Sequence, residues 1–369
     1  MSMKAFIKSA VSISPQDTFR AESFQKESFR AESFLPEARL PERDFFLCQH
    51  PPYKEFINPA ALRRMSPVIR MGLCSAIRSL EEAGADQTGA ILVGSGLGCV
   101  RDTVKFLGQM IDNGEQLLNP TAFIQSTHNT VSGQIALHLG CREYNLTFSQ
   151  KSLSFESALM DALMVLEQDK AENVLVGGLD ELTEESYSLM RRAVCVRPWT
   201  EGDSRAGAAM TPGNGFVAGE GASFFTLGRK AGESTMARIE ALRMINRPGS
   251  TAGMSRETGS FLEDHGLRPG DVDVLVTGRN GDVREEALYR AIEDGFPGSI
   301  HLSYKHLTGE YDTASAFGMF LGSKILQRQE IPSICRLNQV EKPRLNTLLQ
   351  INQKSGKDLS LILLSALSP

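Results

Sequence analysis

Several features that would place the chain in a familiar class are absent. No apolar run is long enough to span a bilayer, and the start, MSMKAFIKSAVSIS, lacks the apolar stretch of a secretion signal, so a cytoplasmic protein is expected, with no membrane partner. There is no basic excess: the formal net charge is −5, which gives nucleic acid no global attraction. The six cysteines (48, 74, 99, 141, 195 and 335) are scattered, with no CxxC and no Cys/His pairing. That excludes a disulfide framework and a metal site, and it predicts buried free thiols. No cofactor is called for.

What remains is a long chain of ordinary composition. Its 369 residues can bury a large core, as one domain or as two fused halves. Residues 4–13 read as an opening strand. Residues 19–34 then repeat an ESF-like pentad carrying Phe24, Phe29 and Phe34. A five-residue period fits neither a helix face nor a strand face, so 19–43 reads as an exposed insertion. Pro59 opens a helix expected to run to Gly84. ILVGSGLG (91–98) is a strand entering a glycine turn. Helices at 100–113, 130–139 and 153–169 alternate with strands at 144–149, 173–178 and 215–227. The second part repeats the alternation: strands at 237–245, 271–278, 299–303, 331–337 and 358–365, and helices at 255–265, 284–292 and 313–328. Such alternation predicts an α/β fold with buried sheets. Two comparable halves, 1–228 and 229–369, suggest an internal duplication.

An ordered set of segments over roughly 58–365 resembles the β-ketoacyl-acyl-carrier-protein synthases of the thiolase superfamily. The segments are LRRMSPVIRMGLCSAIRSLEEAGAD (62–86), ILVGSGLG, RPWTEGDSRAGAAMTPGNGFVAGEGAS (197–223), GLRPGDVDVLVTGRNGD (266–282) and SYKHLTGEYDTASAFG (303–318). The resemblance implies a layered αβαβα fold built from two pseudo-duplicated halves. It also implies a cysteine at a helix N-terminus that carries the acyl chain, where the helix dipole favours thiolate. Two histidines would stabilise the enolate formed from a malonyl thioester.

The positions matching that triad hold other residues. A gapless count back from NVLVGG puts the nucleophile at Ser152, and a two-residue slip puts it at Gln150. Ser152 reads either as a helix cap or as a nucleophile lacking a base. Thr277 stands for the first histidine and Glu310 for the second, with the family's lysine kept as Lys305. An ionised Glu310 accepts hydrogen bonds only and repels an enolate, so a Lys305–Glu310 ion pair is expected instead. His306 is expected to point elsewhere. The family's closing glycine loop aligns with 353–358 and places Lys354 at the acyl gate.

Within the family, chain-length factors are subunits that lack the active cysteine, pair with an active synthase and shape its tunnel. The resemblance therefore implies an active β-ketoacyl synthase or a second copy as partner, an acyl carrier protein as a further partner, and a polyketide, of aryl polyene type, as product. The tunnel and interface candidates are Phe123, Gln125 and His128, ahead of an interface helix at 130–137. Arg63, Arg64, Arg191 and Arg192 are the carrier-docking candidates, against the plainer reading of a solvated helix face. An acyltransferase or hydrolase using Ser152, and a homodimer that binds an acyl thioester without turnover, are the alternatives.

Overall fold

The computed structural model describes residues 4–19, 34–193, 195–205 and 210–367. Phe24 and Phe29 of the pentad repeat lie outside them. Ten strands are described: β1 Ala5–Ile13, β2 Ala90–Gly94, β3 Tyr144–Phe148, β4 Asn173–Asp180, β5 Gly221–Gly228, β6 Ala237–Asn246, β7 Val274–Thr277, β8 Ile300–Ser303, β9 Thr347–Lys354 and β10 Asp358–Ser365. They join in the order β3-β2-β4-β5-β1-β6-β10-β9-β7-β8. The order of β1–β5 recurs in β6–β10. In each set the second strand runs parallel to the third and fourth, and the fifth runs antiparallel to the fourth and first. A short antiparallel pairing of Ala5–Ile7 with β6 links the sets.

Strand alternation builds the layers. In β2, Ala90 and Leu92 face one core cluster while Ile91 and Val93 face another. The second cluster includes the buried stripe of helix Pro67–Ala83. The first holds helices Ser154–Glu167 and Ser315–Arg328 and receives Val274, Val276, Leu348 and Ile362 from the other strand set. Leu275, Leu349 and Ile351 turn the opposite way, onto helices Thr251–Glu263 and Val283–Glu293. The result is helix, sheet, helix, sheet, helix: the layered αβαβα arrangement.

Four expectations need correction. The helix read as 59–84 is two, Pro59–Leu62 and Pro67–Ala83, because Pro67 offers no N–H and holds Ser66 extended. Residues 331–337 make a short 3-10 turn at Ser333–Cys335, and the strand in that part of the chain is β9. The tail of the supposed exposed insertion packs: Leu35 is buried and Phe34 lies edge-on to Phe320, 5.8 Å between centroids. Two cysteines are not buried, Cys141 being half-buried and Cys195 exposed.

Candidate active site

β8 runs into the helical turn Lys305–Thr308, and Gly309, at φ 70°, reverses the chain so that Glu310 turns inward. The Glu310 backbone is fixed on the segment leading into β5: its N–H donates to the Val217 carbonyl (2.8 Å), and its carbonyl accepts from Gly219 N–H (3.1 Å). Three donors converge on its carboxylate. Lys305 Nζ lies 2.8 Å from Oε2, Asn280 Nδ2 donates to the same oxygen at 2.8 Å, and Lys354 Nζ lies 3.3 Å from Oε1. Lys305 also donates to Asn352 Oδ1 at 2.9 Å. Burial acts to raise Glu310, but Lys305 and Lys354 prevail and hold it below the usual carboxylate range. Lys354 has a second contact besides Glu310. Its ammonium sits over the Phe216 ring, 4.2 Å from the centroid, and burial is outweighed by Glu310 and Glu285, which raise its pKa.

Glu285 extends the cluster, accepting from Asn280, Gln353 Nε2 and Ser355 N–H. Thr277 is outside it: its hydroxyl contacts Glu293 Oε1 (3.0 Å) and the Leu302 carbonyl (3.2 Å). Adjacent residues of a strand face opposite sides. The next position, Gly278, is the one turned toward the cluster, where a Cβ would collide with Asn352. His306 points away, with Nε2 2.8 Å from the Ile334 carbonyl, and burial lowers it to about 4, leaving a neutral ring.

The elbow at the start of helix Ser154–Glu167 contains Gln150, Lys151 and Ser152. Lys151 has φ 53°, the left-handed region. Ser154 braces it: its hydroxyl receives Gln150 N–H (2.8 Å) and donates to the Lys151 carbonyl (2.7 Å). Ser152 does not cap the helix, because its hydroxyl donates to Asp358 Oδ2 at 2.7 Å, at the start of β10. The Gln150 side-chain oxygen accepts from Ser157. Neither side chain touches the Glu310 cluster. Between the elbow and Glu310 lies a pair of acids. Asp180 accepts from Ser95 and Gly96 on one oxygen and from Thr313 N–H and hydroxyl on the other. Burial and then Asp312 push it up to about 7.

Phe123 and Gln125 lie on the short helix Pro120–Gln125, and His128 follows it. Phe123 is 55% exposed and rests on Phe106, 5.3 Å between centroids. Gln125 Nε2 donates to the Arg64 carbonyl, tying this helix to the turn that carries the exposed Arg63 and Arg64. His128 is exposed and lies beside Gly98. Nearby on the chain, Ile124, Leu137, Tyr144, Leu146 and Met164 are exposed apolar or aromatic side chains. β3 is an end strand, paired only with β2 among the described strands. Arg191 and Arg192 are exposed on helix Glu184–Arg192, with Arg191 3.9 Å from Asp44.

The sequence reading missed Asn280, Glu285, Asn352, Lys151 and Asp312. For Asn352 there was a signal, a polar residue amid the apolar alternation of TLLQINQK.

Comparison with known proteins bears on the fold. Residues 42–209, just under half of the chain, match the family model for the β-ketoacyl synthase N-terminal domain. A β-ketoacyl synthase from Burkholderia phymatum superposes with a TM-score of 0.77 at 16% identity, each chain fully covered. The ishigamide ketosynthase/chain length factor superposes with a TM-score of 0.76 at 16% identity, again over both whole chains. The pikromycin polyketide synthase component PikAIII of Streptomyces venezuelae is 27% identical over 238 residues, 59% of this chain, and the chain spans 15% of that protein's length. The fold is that of the β-ketoacyl synthases, and residues 42–209 match the model for their N-terminal domain.

Proposed function

We propose that the chain is a non-condensing, chain-length-factor-like subunit that pairs with an active β-ketoacyl synthase in polyketide synthesis. The observation that carries this reading is the ion cluster Lys305–Glu310–Lys354, at the place where the family resemblance expects an enolate-stabilising histidine. A carboxylate held ionised by two ammonium groups offers a developing enolate no donor and adds negative charge. Neither Ser152 nor Thr277 shares that cluster.

The exposed apolar surface supports the pairing. An end strand that exposes Leu146 and is flanked by exposed Leu137 and Met164 leaves both backbone groups and apolar area to be covered. In this reading the covering chain is an intact Cys-His-His synthase, and Phe123 and His128 form a wall of its tunnel. Acyl carrier protein, which is acidic, would meet Arg63 and Arg64, with Arg191 and Arg192 at a second contact. An aryl polyene is the product class this assignment favours.

One contact supports the alternative of acyl transfer at Ser152, the Asp358 carboxylate 2.7 Å from its hydroxyl. A carboxylate with no imidazole between is a weak base for serine, and Ser152 is buried.

The deciding experiment is co-expression with a complete ketosynthase. A stable heterodimer is expected, with condensation lost when the partner's cysteine is replaced. The pure chain should form no C–C bond from malonyl and acyl thioesters. Turnover by the pure chain, or an acyl adduct on Ser152 by mass spectrometry, refutes the proposal.

A further inference from the structure

Three cationic side chains line one cavity at the far end of the strands that carry the Lys305 cluster. β8 and β9 both begin beside it and both lead to the cluster, β8 through Ser303 into Lys305 and β9 through to Lys354. The cavity is about 150 Å³, and its lining joins the buried Ile300 and Leu345 to Arg336, Glu341, Lys342 and Arg344. The segment that brings in the cations has only a short 3-10 turn, yet side chains pin it in place. Gln329 accepts the Leu345 N–H and donates to the Leu345 carbonyl, both at 2.8 Å. Asn338 accepts the His301 N–H at 3.1 Å and donates to the Ser299 carbonyl at 2.9 Å. Asp273 Oδ2 receives the N–H groups of Asn346 and Thr347. The segment is therefore ordered before any ligand arrives, which lowers the cost of binding.

We propose that this cavity binds a phosphate group, as inorganic phosphate or as a phosphate monoester. The cations keep donors in hand. Arg336 spends only Nη1, on the Val340 carbonyl (2.8 Å) and on Glu341 Oε1 (2.9 Å), so its Nε and Nη2 reach no protein acceptor among the described residues. Arg344 is exposed and has no ion pair among the described residues. Lys342 Nζ stands 3.7 Å from Asp273 Oδ1, too far for a good hydrogen bond. Two acids oppose these three cations. Asp273 is committed to the backbone, and the Glu341 side chain is 78% exposed and turns outward at little cost. A phosphate monoester carries about −1.5 to −2 charges at neutral pH and three free oxygens. Two guanidinium forks match pairs of those oxygens, and the Lys342 ammonium adds a point charge. A carboxylate brings one charge and two oxygens, and Glu341 already supplies that group to Arg336. The volume equals about five waters at roughly 30 Å³ each, which admits a tetrahedral anion and leaves the rest of a monoester in solvent. The ligand takes the place of the Glu341 carboxylate beside Arg336.

The test is calorimetric titration of the full chain with inorganic phosphate and, separately, with adenosine monophosphate, at fixed pH and ionic strength. Saturable binding at one site is the expected result. Equal affinity for the two probes supports recognition of the phosphate group alone, and tighter binding of the nucleotide supports a larger monoester as the ligand. Arg344→Ala should weaken binding by about tenfold, the size of one lost charge-assisted hydrogen bond. Glu341→Gln should tighten it, because the ligand then displaces no carboxylate from Arg336. Both side chains are exposed, so each variant should fold, with an unchanged melting temperature as the check. Absence of saturable binding overturns the proposal. So does full competition by acetate at the same concentration, or an affinity that Arg344→Ala leaves unchanged.

Discussion

Glu310 is a residue whose charge the surrounding structure requires. It balances Lys305 and Lys354, and Asn280 completes its bonding. Lys305→Met should therefore destabilise the chain by about 3–5 kcal/mol, because it strips a buried carboxylate of its nearest cation. Replacing Lys305 and Glu310 together with apolar residues should cost less than the single change, and urea unfolding would measure both. The linkage has a sign: Glu310 is depressed, so its stabilisation is present above the ordinary carboxylate range and is lost on acidification through its folded pKa. Glu181 works the other way. Burial pushes it up to about 7, so its contribution is full below the ordinary glutamate range and is lost as pH rises through about 7. Its Oε2 has no partner, so Glu181→Gln should fold and should remove roughly 1–3 kcal/mol of the stability loss between about pH 5 and 8, seen as a flatter melting profile. At this scale the Lys305–Glu310 pair was legible from its place in SYKHLTGEYD. Thr277 was misdirected by one residue of strand alternation, and Asn280 and Asn352 acquire meaning only when β7 and β9 lie side by side.

Among the elements, β3 and the helices flanking it carry the next predictions. Leu146→Lys places a charge on the end strand, and Leu137→Glu places one on the exposed face of helix Thr130–Leu139. Both side chains are already exposed in the chain alone, so each variant should fold with nearly unchanged stability. Each should nevertheless abolish co-purification with the proposed ketosynthase partner. Loss of folding, or undiminished association, would contradict the assignment of this face. Phe123→Ala, in a proven heterodimer, should lengthen the products without stopping synthesis, as read by mass spectrometry. Most elements were legible because their apolar periods are clean, as in NVLVGGLD and LILLS. β9 was not, since Gln350 and Asn352 interrupt its apolar pattern for the sake of buried contacts. The break at Pro67 was visible in principle, yet the apolar period on either side masked it.

For the molecule as a whole, the layers share their contents. The middle helical layer is one core cluster that takes side chains from both strand sets, so the halves should unfold together in a single transition by calorimetry. The repeated strand order was only hinted at by the sequence, since residues diverge faster than the layer pattern that constrains them. The same sharing bears on the chain's history. Placing an imidazole at position 310 would take the anion from between two buried ammonium groups, and Lys354 would still cover the ring of Phe216. On the proposed reading, condensing chemistry at this site would require several changes at once. Selection acting one substitution at a time would then find no downhill route to it, so the proposed loss would behave as a ratchet.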